Sequence, residues 1–245
     1  MGAMSKNSVA IAWCDNGTVD GKFMQGVADV MLKSGVEFGT TLRSQGNQIA
    51  RQRQTVIDYW YDKTTYEWLL WVDSDIVISP EKFKLLWNNK DAKQRPLITG
   101  VYFTTDTPEE PLMIPLPTVY SFVNDGDGGI AISRVHPLPE NQVIKVDAAG
   151  MGFILMHRSI VPKIREVAPN GQVFMEMGKG TKFMGEDIFF FVLCDKAEVP
   201  LYAHTGATVP HMKRFSLDEH YYKAFFGKPK ESKLITPNKK IITPR

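Results

Sequence analysis

Cysteine is scarce: Cys14 and Cys194 are the only two in 245 residues. They lie far apart and fit no disulfide or metal-ligand spacing, so their apolar surroundings mark them as buried thiols in a reducing compartment. An excess of one charge is also missing. Lys and Arg number 29 against 27 Asp and Glu, for a net charge of +2. The molecule as a whole therefore does not advertise a nucleic-acid or membrane surface. No apolar run approaches the roughly 18 residues of a membrane span. The opening Met1-Gly2-Ala3-Met4-Ser5-Lys6 has no hydrophobic segment. No signal peptide is expected there, and a cytoplasmic location follows. Internal repeats and long low-complexity segments are absent too. The length suits one large α/β domain or two small ones, with a substantial core.

The chain is organised around Trp68-Leu69-Leu70-Trp71-Val72-Asp73-Ser74-Asp75-Ile76-Val77. Five largely apolar residues bounded by polar ones predict a strand buried on both faces. Asp73 and Asp75 fall at its carboxyl end, where open α/β sheets place ligands. Residues i and i+2 of a strand share a face, so two carboxylates stand side by side and each raises the cost of ionising the other. A divalent cation such as Mg²⁺ or Mn²⁺ removes that cost. Capping of the next helix does not require either aspartate, because Ser79-Pro80-Glu81-Lys82 already supplies an N-cap with proline at the first helical position.

Around this stretch the pattern predicts alternating strands and helices. Val9–Trp13 is a strand broken by the turn cluster Cys14-Asp15-Asn16-Gly17. Phe23, Val27, Val30 and Met31 recur at helical spacing, and that helix ends near Ser34-Gly35. Val36–Leu42 is a strand and Gln48–Tyr61 a helix. The series β-α-β-α-β argues for a mostly parallel, doubly wound sheet. A helix marked by Phe83, Leu86 and Trp87 and a strand at 96–103 follow. Residues 104–118 read as a long loop, either over the site or flexible. Val119–Val123 and Ile130–Val135 flank a hairpin turn. Strands are predicted at 143–147 and 153–157, and Ser159 caps a short helix reaching Val167. A glycine-containing loop spans 168–183. A hydrophobic helix opens at Glu186, and two short strands, 201–204 and 207–209, run to His211. From Lys223 the chain is basic, which reads as a solvated tail.

Four constellations carry chemistry. The first joins Asp73, Ser74 and Asp75 to His211, whose neutral imidazole would complete a carboxylate site for Mn²⁺, with Lys213 and Arg214 meeting phosphate oxygens. The second is Gly185-Glu186-Asp187. Two acids at a helix start are favoured by its dipole alone, yet one of the pair can take a proton while the other orients it. The third is Asp147 to Gly152, where small residues suggest close backbone approach by a ligand or another strand, or a bulge or tight turn. The fourth is Gly46-Asn47 to Arg51. Arg51 and Arg53 are two apart and share no helix face, and Arg51, nearer the helix start, is taken to face a phosphate while Arg53 is solvated.

In this order the residues resemble nucleotide-sugar glycosyltransferases of the GT-A fold, similar to small single-domain members from phages and bacteria. The resemblance rests on Trp13-Cys14-Asp15, Asn47 with Arg51, Asp73 and Asp75, Val146 to Gly152, Gly185 to Asp187, and His211. It covers roughly residues 8–215. It implies a mostly parallel central sheet flanked by helices with a smaller antiparallel acceptor-side region. Residues 1–103 would form the nucleotide-sugar half and 104–222 the acceptor and catalytic half of one domain, with 223–245 the tail. It further implies Mn²⁺ or Mg²⁺ on Asp73, Asp75 and His211, and a UDP-sugar donor held by Trp13, Cys14, Asp15, Arg51, Asp73, Ser74, Gly150 and Lys213. Trp13-Cys14 stand near the place of the usual proline after the first strand. Asp187 would be the base, with Glu186 in reserve. The acceptor could be a glycan, a small molecule or a modified base in phage DNA, and oligomeric state is left open.

Two other readings fit parts of the chain. Asp73 to Val77 also fits the haloacid dehalogenase class of phosphatases, with Asp73 as nucleophile and Thr99, Lys182 and Asp187 completing the site. Two β-α units before the motif count against it. The basic tail with Tyr221 and Tyr222 could instead make a nucleic-acid-binding protein, whose binding would fall steeply with salt.

Overall fold

The computed structural model describes residues 8–105, 114–126, 129–179, 182–214, 218, 219 and 223. Its strands are β1 (Val9–Asp15), β2 (Phe38–Gln45), β3 (Trp68–Val72), β4 (Leu97–Val101), β5 (Phe103–Thr104), β6 (Leu116–Pro117) and β7 (Val119–Asn124). Beyond these lie β8 (Ile130–Arg134), β9 (Val143–Val146), β10 (Ala148–Ala149), β11 (Phe153–His157), β12 (Met177–Lys179), β13 (Lys182–Met184) and β14 (Leu201–Thr208). The helices are α1 (Gly21–Lys33), α2 (Ile49–Lys63), α3 (Pro80–Asn89), α4 (Ile160–Val167) and α5 (Glu186–Lys196). Among the described residues, no helix is long and apolar enough to cross a membrane.

Seven strands make the central sheet, in the order β2-β1-β3-β11-β4-β14-β9. β1 runs parallel to β2 and β3, and β14 parallel to β4. β11 is inserted antiparallel between β3 and β4, and β9 closes the far edge antiparallel to β14. Strands from both sides of residue 103 therefore share one sheet. A three-stranded antiparallel sheet, β10-β7-β8, stands beside it.

β3 is buried along its whole length because both faces of the sheet are covered. Leu69 and Trp71 enter a core with Val56, Ile57 and Trp60 of α2, Ile160 and Ile164 of α4, and Phe190 of α5. Trp68, Leu70 and Val72 enter the opposite core with Phe23 and Val27 of α1 and Phe83 and Leu86 of α3. A continuous apolar run is what a strand between two helical layers requires. Ser79 caps α3 as expected, accepting from the Lys82 amide, with proline in the first turn.

Several expectations are corrected. The two short strands near the end are one strand, β14, whose register on β4 shifts between Ala203 and Thr208. The loop 168–183 holds a short 3-10 turn at Pro169–Gly171 and the hairpin β12–β13. The ends of the 104–118 loop are drawn together by β5 pairing with β6, while 106–113 lie outside the described residues. Ser159 precedes α4 but caps nothing with its side chain; its hydroxyl instead meets His157 Nδ1 at 2.8 Å. Apart from Lys223, the tail lies outside the described residues, as do Tyr221 and Tyr222.

Candidate functional site

A cleft of about 1270 Å³ opens at the carboxyl ends of β1 and β3, bounded by the start of α2 and by residues 212–214. Cys14, Asp15, Arg51, Ser74, Asp75 and Lys213 line it, together with Glu176 and Arg214. The N-terminus of α2 faces it through Gln48, Ile49 and Ala50. Gln48 makes no side-chain cap, so the first amides of this 15-residue helix remain donors at the positive end of its dipole. Lys22, Arg51, Lys213 and Arg214 add cationic side chains around the opening.

The two aspartates after β3 part company. Strand geometry stops at Val72, and the Ile76 amide donates back to the Asp73 carbonyl at 2.9 Å. That turn ends the alternation which would have kept Asp73 and Asp75 on one face. Asp75 instead meets His211, whose Nε2 lies 3.0 Å from Oδ2, with Lys213 Nζ at 3.6 Å. Backbone pairing fixes this meeting. Ile76 bridges His211, the Val77 amide donates to the Pro210 carbonyl at 3.0 Å, and the Met212 amide to the Asp75 carbonyl at 2.8 Å.

His211 Nδ1 lies 2.8 Å from the Phe103 carbonyl oxygen. A carbonyl can only accept, so Nδ1 carries a proton. In the neutral ring Nε2 then holds a lone pair aimed at a carboxylate oxygen. Two lone pairs at that distance repel unless a proton or a cation lies between them. Burial pushes the Asp75 carboxyl up, but the hydrogen bond and charge of His211 and the charge of Lys213 outweigh it and leave it below its ordinary value. Asp75 keeps 46% of its side-chain surface exposed, so a further ligand can reach it.

Asp73 has a different partner. Arg53 Nη2 donates to both its carboxylate oxygens, at 3.0 and 3.1 Å, and Arg53 Nη1 donates to Glu186 Oε1 at 2.9 Å. Arg53 is buried with its guanidinium 6.0 Å from the Trp71 ring centre, and its Nε has no partner among the described residues. Burial alone would push this guanidinium down; the charges of Asp73, Glu186 and Asp187 hold it above its usual value. Arg53 is therefore not solvated, contrary to expectation. It is instead the cation that joins the end of β3 to the start of α5, and Arg51 is the arginine that lines the cleft. Helical spacing separates the two faces without saying which one is buried.

Glu186 and Asp187 both sit above their ordinary values. Burial is the main cause in each, only partly offset by the charge of Arg53. Asp187 Oδ1 accepts from the Ile188 amide at 2.8 Å, which reduces its shift. Neither acid lines the main cleft.

Other predicted contacts are placed differently. Trp13 is buried, packs edge-on against Phe23 at 5.8 Å, and does not line the cleft. Cys14 does line it, with its thiol pushed up to about 12, chiefly by burial. Asp15 is fully engaged. Arg43 donates twice, at 2.6 and 2.7 Å, with further bonds from the Gly17 amide and Trp13 Nε1. Its carboxyl is held low, first by the Arg43 hydrogen bonds. Gly150 does not reach the cleft: a Cβ there would lie 2.0 Å from the Tyr102 hydroxyl. The close approach predicted for this segment is therefore made by a buried tyrosine. Thr99 is buried, and its hydroxyl is spent on the Gly100 and Phe153 carbonyls, at 2.8 and 3.0 Å. It offers nothing to a phosphatase reading.

Sequence reasoning misplaced Arg53 and missed Glu176, which lines the cleft. It also missed Gln52, whose amide donates to the Asp15 and Ser44 carbonyls at 2.8 Å each. Among the described residues, no group of three or more His, Cys, Asp or Glu side chains is gathered to hold a metal. Asp75 and His211 meet as a pair, and Asp73 faces Arg53.

No protein-family model matches this chain, and no curated protein matches it in sequence. Solved structures do match. A197 from STIV is 19% identical, covers 84% of this chain and 86% of its own, and superposes with a TM-score of 0.50. GalNAc-T7, solved with UDP, GalNAc and Mn²⁺, is 8% identical, with a TM-score of 0.50 over 86% of this chain and 44% of its own. The fold is of the GT-A type. The Asp75–His211 cleft lies at the carboxyl ends of its first parallel strands.

Proposed function

We propose that this chain is a metal-dependent glycosyltransferase that moves a sugar from a nucleoside-diphosphate sugar, with UDP-sugars the first donors to test, to an acceptor hydroxyl. The carrying observation is the Asp75–His211 pair, with Nδ1 anchored on the Phe103 carbonyl. A metal-ligating histidine characteristically gives its other ring proton to a carbonyl, which fixes the tautomer. A carboxylate and an imidazole suit Mn²⁺, or Mg²⁺ with more oxygen ligands. The residues fit such an ion as a two-residue protein site whose remaining positions would fall to the donor's phosphates and water. Bound there, the ion would offset charge building on the leaving diphosphate. Asp73 is read as a positioning carboxylate rather than a metal ligand, because Arg53 occupies both its oxygens.

The chain's own groups supply the rest. Lys213, Arg214 and the amides at the start of α2 would hold the diphosphate. Cys14, Asp15 and Asn47 line the part of the cleft left for the nucleoside. Asp187, raised by burial, is the proposed base. The acceptor oxygen forms its bond to the anomeric carbon as the bond from that carbon to the diphosphate oxygen breaks, and the acceptor proton passes to Asp187. Direct assay of a glycan, a small molecule and a modified DNA base identifies the acceptor.

The test is nucleoside-diphosphate release from a panel of nucleotide sugars with and without Mn²⁺. Release that requires metal supports the proposal. Release of phosphate from simple esters instead, with a phosphoryl group trapped on Asp73, would overturn it.

A further inference from the structure

A second groove, of about 640 Å³, lies on another part of the molecule from the donor cleft. It runs between β2, the outermost strand at its end of the central sheet, and α2, and is closed at one end by the turn into β3. Pockets of about 300–1,000 Å³ take small molecules or a few sugar rings. The proposed transfer leaves this groove unused.

Its chemistry is selective. Five threonines line it, at 40, 41, 55, 64 and 65. Tyr59 projects from α2 with 55% of its surface exposed. Tyr66 lies over β2 because residue 39 is glycine; a Cβ there would stand 1.9 Å from the tyrosine ring. Lys63 and Arg43 are the charged residues of the lining, and no carboxylate is among them. The acids of the same helix, Asp58 and Asp62, are instead paired with Arg165, at 2.6 and 3.0 Å. Arg43 is itself held by Asp15, so Lys63 is the lining cation that faces no carboxylate among the described residues. The hydroxyls of Thr55 and Thr64 donate to the Arg51 and Trp60 carbonyls and keep their lone pairs as acceptors. The groove thus combines two tyrosines, a row of hydroxyls and one lysine ammonium. Aromatic faces pack against the C–H faces of sugar rings, threonine oxygens accept hydrogen bonds from sugar hydroxyls, and the Lys63 ammonium favours an acid group.

We propose that this groove binds an acidic oligosaccharide, a glycan carrying carboxylate, sulfate or phosphate groups, as an accessory site that holds the acceptor chain. The acceptor role rests on the glycosyltransferase reading; the binding itself does not. Arg43 connects the two sites, since it lines the groove and also holds Asp15 at the donor cleft.

The test is calorimetric titration of the whole chain with a heparin-derived hexasaccharide and an oligogalacturonate, using maltohexaose and a polyglutamate peptide as controls. The acidic sugars should bind, weaken with salt, and lose about tenfold or more in affinity in Tyr59→Ala and Lys63→Glu. Both side chains are exposed, so folding should be retained. Three results would overturn the site: no binding of either acidic sugar at millimolar concentration, equal binding by the variants, or equal binding of polyglutamate. Nucleotide-induced thermal shifts in the same variants separate the two proposals. They should be unchanged, and their absence in every protein would count against the donor reading while leaving the groove result standing.

Discussion

Replacing Arg53 by methionine tests how the centre of this molecule is held together. Its guanidinium is buried and donates to Asp73 and Glu186 at 2.9–3.1 Å. Methionine fills similar volume but leaves two partly buried carboxylates without their cation. Removing one partner of a buried ion pair costs about 3–5 kcal/mol. For a domain of this size each kcal/mol moves the melting temperature by about 2–4 °C, so a loss of about 6–20 °C is expected. The pH dependence adds a sign. Glu186 and Asp187 already lie above their ordinary values, and the charge of Arg53 is the largest influence that lowers each. Its loss raises them further. A carboxyl whose folded-state value exceeds its unfolded value favours folding while protonated, and that contribution is lost as pH rises through the folded-state value. The deficit of Arg53→Met should therefore be smaller near pH 5 and larger near pH 8. Arg53→Lys, which keeps the charge and loses the two-armed geometry, should recover part of it. Chemical denaturation of the three proteins across this range is the assay. A deficit under about 1 kcal/mol, or one equal at all pH values, would refute the claim that Arg53 compensates these acids.

Two further predictions concern the chemistry and the packing. Asp187→Asn should leave donor binding intact and slow transfer by about 10²–10⁴-fold. If the proposed transfer holds, activity should fall on the acid side as Asp187 protonates, and because burial raises that group the fall should come above the ordinary aspartate value. A pH–rate profile with its acid limb at ordinary carboxylate values would remove Asp187 as the base. Gly150→Ala should cost about 1–3 kcal/mol, because its Cβ meets the buried Tyr102 hydroxyl and ring at 2.0 and 2.6 Å. An unchanged urea midpoint would mean that Tyr102 can swing aside.

Much of the scaffold was legible because its signals are local. β3 declares itself by an apolar run that both helical layers need, α3 by Ser79-Pro80, and the β7–β8 hairpin by the Asn-Asp-Gly cluster between two apolar segments. What was not legible depends on distant parts of the chain. Nothing near Phe153–His157 tells that this strand enters antiparallel between β3 and β4. The lysine- and glycine-containing segment at 177–184 hid a hairpin, and Gly206 made one strand look like two. At the site, the Asp-x-Asp spacing put both carboxylates just past the end of β3, where the structure has them, but implied a shared face. The turn closed by the Ile76 amide sends one to His211 and the other to Arg53. Which of two helical arginines is buried is likewise decided by how α2 rests on the sheet, and spacing alone is silent on that. Gly150 was read as open to a ligand because a small residue signals close approach without naming what approaches.

The most direct test of the account is calorimetric titration of UDP into the unmodified chain, Asp75→Ala and His211→Ala, each with and without Mn²⁺. The account predicts binding that requires Mn²⁺ in the unmodified chain, is lost in Asp75→Ala, and is weakened by a smaller factor in His211→Ala. Metal-independent UDP binding of equal strength in all three proteins, or no UDP binding in any, would contradict it.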